Sequence, residues 1–304
     1  MRANGRHRPC RTEKVCATMK TIYKTKSSKD AVLDLYDSQL AKLGCAFRDL
    51  YVATSFGPTH VVETGAPAAP ALLVFHGGNS TTAYNLLLCR FLLPHFHVYA
   101  VDIIGHPGKS AEVSLPAAGY AYGRWAGEVI DGLGFSEMRC FGGSFGGGVL
   151  AKLLCAAPEK VSRCALVVPA GINNALPLGS ARMMVPLAQY LCTKKDKYIT
   201  RAALYMALSP DVLDQDTLDT VKSSFTHVKT KMAMPSNVSA ARMKRYTAPA
   251  LVMAAERDCL FPAKKVLGRA EKILPGCTLY ELKGRGHMHL LTEEEKRMIV
   301  AFLT

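Results

Sequence analysis

Residues 142–146 read Gly-Gly-Ser-Phe-Gly. This G-x-S-x-G pattern lies between a short apolar run ending at Phe141 and a helix-like stretch that stops before Pro158. A serine on so sharp a strand-to-helix turn projects its hydroxyl above the sheet, and side chains at 142 and 146 would collide where strand and helix approach. A lone hydroxyl is a weak nucleophile, so Ser144 needs a base, an acid to orient that base, and amides to hold an oxyanion. Gly286-His287-Met288-His289 offers two imidazoles, and the preceding glycine favours His287. Glu256-Arg257-Asp258 offers two carboxylates in a loop. His76-Gly77-Gly78-Asn79 follows a buried-looking strand, where glycine lets an amide turn toward an oxyanion beside the amide of Phe145. Gly78 is the preferred donor and Gly77 the alternative. The two nearby histidines lack carboxylates to complete a metal site. Asp102 reads as a structural turn residue, and His76 as an organiser of the glycine loop.

Elements of two kinds must position these groups. Leu33, Tyr36, Leu40 and Leu43 recur at helical spacing, which predicts a helix from Ser27 or Ser28 to Gly44. Leu50–Thr54 and Thr59–Thr64 read as a hairpin turning at Gly57-Pro58. From Ala71 the pattern alternates. Strands are predicted at Ala71–Phe75, His97–Ile103, up to Phe141, and at Ala165–Val168. Helices are predicted near Tyr84–Leu93, at Gly119–Leu133, and after Ser144. Alternation resumes with strand Ala250–Ala254, a helix near Ala263–Ile273, strand Thr278–Leu282 and a closing helix that Thr292 and Glu295 cap as a box. This order predicts a mostly parallel sheet covered by helices on both faces. Residues 173–247 interrupt it with helix-like runs and no convincing buried strand. They hold six of the twelve Met (Met183, Met184, Met206, Met232, Met234 and Met243), some of which can line an acyl pocket.

The chain has 304 residues, 49% of them hydrophobic and 20% charged, a globular composition. Its formal charge of +14 is concentrated. Residues 1–29 hold nine Lys/Arg and one acid, residues 173–247 hold eleven basic and five acidic residues, and the remainder is neutral. Without a basic stripe interleaved with aromatics, nucleic-acid binding is not expected. No apolar run is long enough to span a bilayer. The first thirty residues lack the apolar core of a secretory signal. The ten cysteines are scattered with no C-x-x-C pair, which reads as free thiols in a reducing compartment, so a cytoplasmic location is expected.

Taken together these pieces resemble the α/β-hydrolases of the carboxylesterase type with a helical cap. The resemblance runs from about Met19 to the C-terminus. It rests on His76-Gly77-Gly78, the turn from Val101-Asp102 to Lys109-Ser110, the Ser144 elbow, Asp258 with Phe261-Pro262 behind it, and Gly286-His287. Pro107 departs from the family's turn, where glycine or a small residue is usual. The resemblance implies an α/β-hydrolase fold with a core of residues 19–172 and 248–304 and a cap of residues 173–247. It implies a Ser144–His287–Asp258 triad, with Asp258 preferred to Glu256 by position and with Gly78 and Phe145 as oxyanion donors. It also implies a small ester as substrate and no metal or organic cofactor. Thioesterase, C–C hydrolase, perhydrolase and acyltransferase activities share this triad. A non-catalytic ligand-binding member of the fold is the other class of reading.

Residues 1–18 carry five basic residues, one acid and no periodic apolar pattern, which reads as a loose extension. A chain beginning at Met19 is therefore expected to keep the full chain's melting temperature and its turnover of a short ester. A large drop in either, by thermal melting or ester assay, would show that the tail packs on the fold.

Overall fold

A computed structural model describes residues 21–174, 180–229 and 233–304. The predicted extension 1–18, and Cys10, Cys16 and Met232, lie outside the described residues. The fold opens with α1 (Lys26–Ala41), which starts one residue before Ser27 and is capped by Thr25, whose hydroxyl accepts the Ser28 amide. Then come β1 (Phe47–Thr54), β2 (Gly57–Gly65) and β3 (Ala71–Phe75). After these are α2 (Thr82–Leu88), β4 (His97–Val101), α3 (Ala121–Gly132), β5 (Met138–Gly143), α4 (Phe145–Ala156) and β6 (Val161–Val167). Four helices follow: α5 (Ser180–Thr193), α6 (Asp196–Ala207), α7 (Gln215–His227) and α8 (Ala240–Met243). The chain closes with β7 (Ala250–Ala255), α9 (Ala263–Ile273), β8 (Thr278–Leu282) and α10 (Glu293–Leu303).

The eight strands form one sheet in the order β1-β2-β4-β3-β5-β6-β7-β8. Only β1/β2 and β2/β4 pair antiparallel; the rest are parallel. Successive residues of each inner strand enter different cores, Leu73 and Phe75 on one face and Leu72 and Val74 on the other. That is why these strands read as continuous apolar runs. The hairpin corrects one detail. Gly57 and Pro58 are the first residues of β2, paired with Thr54 and Ala53, and the loop is Ser55-Phe56. Gly57 enters the strand at φ +122, and Glu128 anchors Ser55 by accepting its amide and hydroxyl hydrogens. The Thr292–Glu295 box caps α10 as predicted. No helix among the described residues is long and apolar enough to cross a membrane. Of the eight described cysteines, all free, Cys89, Cys140, Cys155 and Cys164 are buried.

Order reversal at β3, whose two parallel neighbours lie on opposite sides, creates a crevice at the carboxyl ends of the strands. The loop after β4 is held there by a buried polar knot. Asp102 is fully buried and accepts from Tyr36 Oη (3.1 Å) and the Lys109 amide (2.8 Å). His60 lies between two carboxylates, Nδ1 2.8 Å from Asp102 and Nε2 2.7 Å from Asp49.

Burial works against a charge on His60, but hydrogen bonds and charge from Asp102 and Asp49 outweigh it and raise its pKa. Burial would likewise raise Asp102, but His60 and the Lys109 amide more than offset it and hold the carboxyl below its ordinary value. A raised His60 pKa gives stability that is complete below about pH 6.5 and lost as pH rises through the folded-state value. The lowered Asp102 pKa gives stability that is lost in acid instead. His60→Ala is thus expected to cost about 3 kcal/mol near pH 6 by denaturant unfolding. The cost should shrink toward alkaline pH, where the wild-type histidine no longer carries the charge. A cost independent of pH would refute the charged pair.

Candidate functional site

Ser144 links β5 to α4 with φ +51 and ψ −116, a left-handed backbone that a side chain rarely adopts. Neighbouring hydrogen bonds hold it there. Its amide donates to Val167 O (2.9 Å), and its carbonyl accepts from Gly148 and Ala170 (both 3.0 Å). The two motif glycines answer to close approach. A Cβ on Gly142 would lie 2.7 Å from Gly146 O, and one on Gly146 only 2.4 Å from Phe75 O.

Ser144 Oγ is 2.9 Å from His287 Nε2, and His287 Nδ1 is 2.8 Å from Asp258 Oδ2. The structure thus brings together three residues from the loops after β5, β7 and β8. Asp258 is buried, and its other oxygen accepts the amides of Leu260 (2.7 Å) and Phe261 (2.9 Å). Burial would raise its pKa, but His287 and these amides outweigh that and keep it ionised. An ionised Asp258 fixes the proton on His287 Nδ1 and leaves Nε2 to accept from the serine hydroxyl. The Phe261 ring meets the imidazole edge to face at 5.5 Å, so the residue read as flanking Asp258 also braces His287.

The competing side chains sit elsewhere. Glu256 is exposed and accepts the Gly284 amide (2.7 Å), closing the turn after β8. His289 Nδ1 donates to His287 O (3.1 Å), and burial followed by the neighbouring His287 lowers its pKa.

His76 is buried, and burial lowers its pKa. Its Nε2 accepts the Ile103 amide (3.0 Å), so Nδ1 donates to Gly77 O (2.7 Å). In a planar trans peptide the carbonyl and the next N–H point in opposite directions. Pinning the Gly77 carbonyl back therefore turns the Gly78 amide away from His76. Phe145 lies at the first position of α4, where its N–H has no acceptor within the helix. A Cβ on Gly78 would lie 3.3 Å from Phe145 Cβ, so the two backbones are adjacent.

Beyond Phe145 opens a cavity of about 80 Å³, lined by Ile22, Asn79, His106, Tyr122, Phe145 and Val228 among others. No methionine is among the described residues that line it, and Met232, one of the six that could serve in an acyl pocket, lies outside the described residues. Met243 is core, Met184 is exposed, and Met206 supplies a carbonyl that accepts the Met288 amide (3.2 Å). Asn79 and His106 were not singled out from the sequence; His106 was visible only as one letter of the turn beginning at Asp102. No cluster of three His, Cys, Asp or Glu suited to a metal exists among the described residues.

Residues 72–299 match the model of the alpha/beta hydrolase family. The chain is 26% identical over 279 residues to carboxylesterase YbfK of Bacillus subtilis, covering 88% of this chain and 92% of that one. The crystal structure of that esterase superposes with a TM-score of 0.77 at 23% identity, over 91% of this chain and 98% of that one. The naproxen esterase of the same organism gives a TM-score of 0.76 at 21% identity, over 91% and 97% of the two chains. With a family match spanning most of its length and the strand order to go with it, this chain belongs to the alpha/beta hydrolase family.

Proposed function

We propose that the protein is a carboxylesterase that works through an acyl-enzyme on Ser144. The observation that carries this reading is the unbroken hydrogen-bonded line from Ser144 Oγ through His287 to the buried Asp258. The named relatives, carboxylesterases matched over most of both chains, support it. In the proposed reaction His287 Nε2 takes the serine proton as Oγ attacks the ester carbonyl. The amides of Gly78 and Phe145 hold the oxyanion, and Asp258 stabilises the imidazolium. His287 then protonates the departing alcohol, and water activated by the same nitrogen releases the acid and restores Ser144. Residues 173–247 act as the cap in this reading.

A fluorophosphonate probe should label wild-type protein at Ser144, and Ser144→Ala should lose both labelling and ester turnover while staying folded by circular dichroism. Labelling at a different serine would refute the assignment.

Asp258→Asn should lower kcat by roughly 10⁴, the scale of losing the acid that fixes the histidine tautomer. Glu256→Gln, whose parent closes a turn, should cost far less. The reverse pattern would exchange the two roles.

The cavity of about 80 Å³ is smaller than the ~150 Å³ that accommodates a benzene ring. Short, uncharged acyl groups are therefore the expected substrates. In a p-nitrophenyl ester series from acetate upward, kcat/KM should peak at short chains. A maximum at long chains with activation at a lipid–water interface would overturn this size limit.

A further inference from the structure

We propose that the cavity beyond Phe145 is a subsite for a neutral hydrogen-bonding oxygen of the substrate (an ether, hydroxyl or carbonyl) read chiefly by His106. The proposal rests on the esterase reading and names a substrate class within it. Asn79, His106 and Ser114 all line this cavity, and none has a side-chain hydrogen bond among the described residues. A wall meant only for aliphatic carbon would leave three polar side chains facing a group that cannot bond them, at a desolvation cost.

The ring of His106 packs on Phe145 with centroids 4.3 Å apart, and on His76 at 5.8 Å. It therefore stands beside a proposed oxyanion donor without belonging to the triad. Burial, followed by the nearby His76, lowers its pKa to about 3. It is thus an uncharged imidazole at working pH, with one N–H to donate and one lone pair to accept. Asn79 and Ser114 are also uncharged. Lys229, the one cation among the described lining residues, is exposed and its ammonium donates to Thr21 O (3.0 Å). The lining as a whole suits a neutral oxygen better than a carboxylate.

The turn that carries His106 is held rigidly, as a recognition group requires. Its amide donates to Ile103 O, and Gly105 donates to Ala111 O, both at 3.0 Å. Asp102 accepts the Lys109 amide, and Ser110 Oγ donates to Asp102 O (2.7 Å). Gly108, at φ +148, lets the chain pass where a Cβ would come within 2.6 Å of the Asp102 carboxylate. The buried knot after β4 thereby fixes the reach of His106 into the cavity.

The test uses isosteric ester pairs, each corrected for intrinsic reactivity by its hydroxide-catalysed rate. p-Nitrophenyl methoxyacetate against butyrate probes the acyl side, and 2-methoxyethyl against butyl butyrate probes the alcohol side. A p-nitrophenyl hemisuccinate against valerate is the anionic arm. Wild type should prefer one methoxy ester by about tenfold in kcat/KM. His106→Phe should bring that ratio near one; a merely structural role would lower both members of a pair together. If His106→Phe fails to fold, Ser114→Ala should lower the same ratio. A wild-type ratio near one in both methoxy arms would overturn the proposal. So would a ratio that neither variant changes, or a preference for the hemisuccinate. In those cases butyrate is still hydrolysed and Ser144 still labelled, whereas loss of both would bring down the esterase reading itself and this subsite with it.

Discussion

The site depends on how closely the first turn of α4 approaches β3. Gly146 passes the Phe75 carbonyl at a distance that admits no side chain, and this contact places the helix N-terminus directly behind the residue that precedes it. Ser144 must then bridge strand and helix at φ +51, a conformation that costs energy and persists only because its amide and carbonyl are both bonded. A methyl group at position 146 would break this contact, because its carbon would lie only 2.4 Å from the Phe75 carbonyl oxygen. The amide of Phe145, the adjacency of Gly78 and the aim of the hydroxyl at His287 all follow from that one approach.

Two buried histidine–carboxylate pairs stand near the crevice, and only one faces a nucleophile. His287 and His60 each place Nδ1 2.8 Å from a buried aspartate. Their other nitrogens differ. His287 Nε2 meets a serine hydroxyl, whereas His60 Nε2 meets a second carboxylate, Asp49, which stabilises the imidazolium. A histidine between two carboxylates holds its proton and is a poor base. One between a carboxylate and a hydroxyl can pass a proton on. The first pair is structural, clamping the turn after β4; the second has the geometry of general-base chemistry. The difference lies in what the far nitrogen touches, not in the aspartate.

Most of this was legible because it depends on short-range patterns. A strand buried on both faces is an apolar run, so Ala71–Phe75 could be bounded to the residue, and the half-exposed edge strand Thr278–Leu282 was bounded equally well. A close approach needs glycine, so the elbow announced itself. The order of serine, acid and histidine pointed to three loops that meet at Ser144, and Asp258 and Glu256 were separable only by resemblance until the Gly284 amide was seen to occupy Glu256. What stayed hidden are relations between distant residues. Nothing near His60 signals Asp102, forty-two positions away. Nothing near His106 signals that its imidazole would have no hydrogen-bond partner among the described residues. The hairpin turn was misplaced because Gly-Pro is a common turn signal. Here Gly57 serves instead as the positive-φ entry to a strand.

The segment between β6 and β7 is attached to the rest of the chain unevenly. α7 is held from two sides: Gln39 of α1 donates to Thr220 Oγ1 (2.9 Å), and the segment before α1 pairs with its end, Lys24 donating to His227 O and Lys229 to Ile22 O. The end of α6 is tied to the histidine loop through Met206 O and the Met288 amide. By contrast, α5 packs its buried Leu187 and Tyr190 on Ile199 and Ala202 of α6 and leaves Met184, Val185 and Leu191 exposed. Local stability follows such anchoring, so it should fall from α7 through α6 to α5. The wall of the cavity formed by Ile22 and Val228 belongs to the firmly held part, where the N-terminal strand segment and α7 lock together. The wall formed by Ile22 and Val228 can therefore stay fixed while the outer helices adjust, because the two are anchored differently.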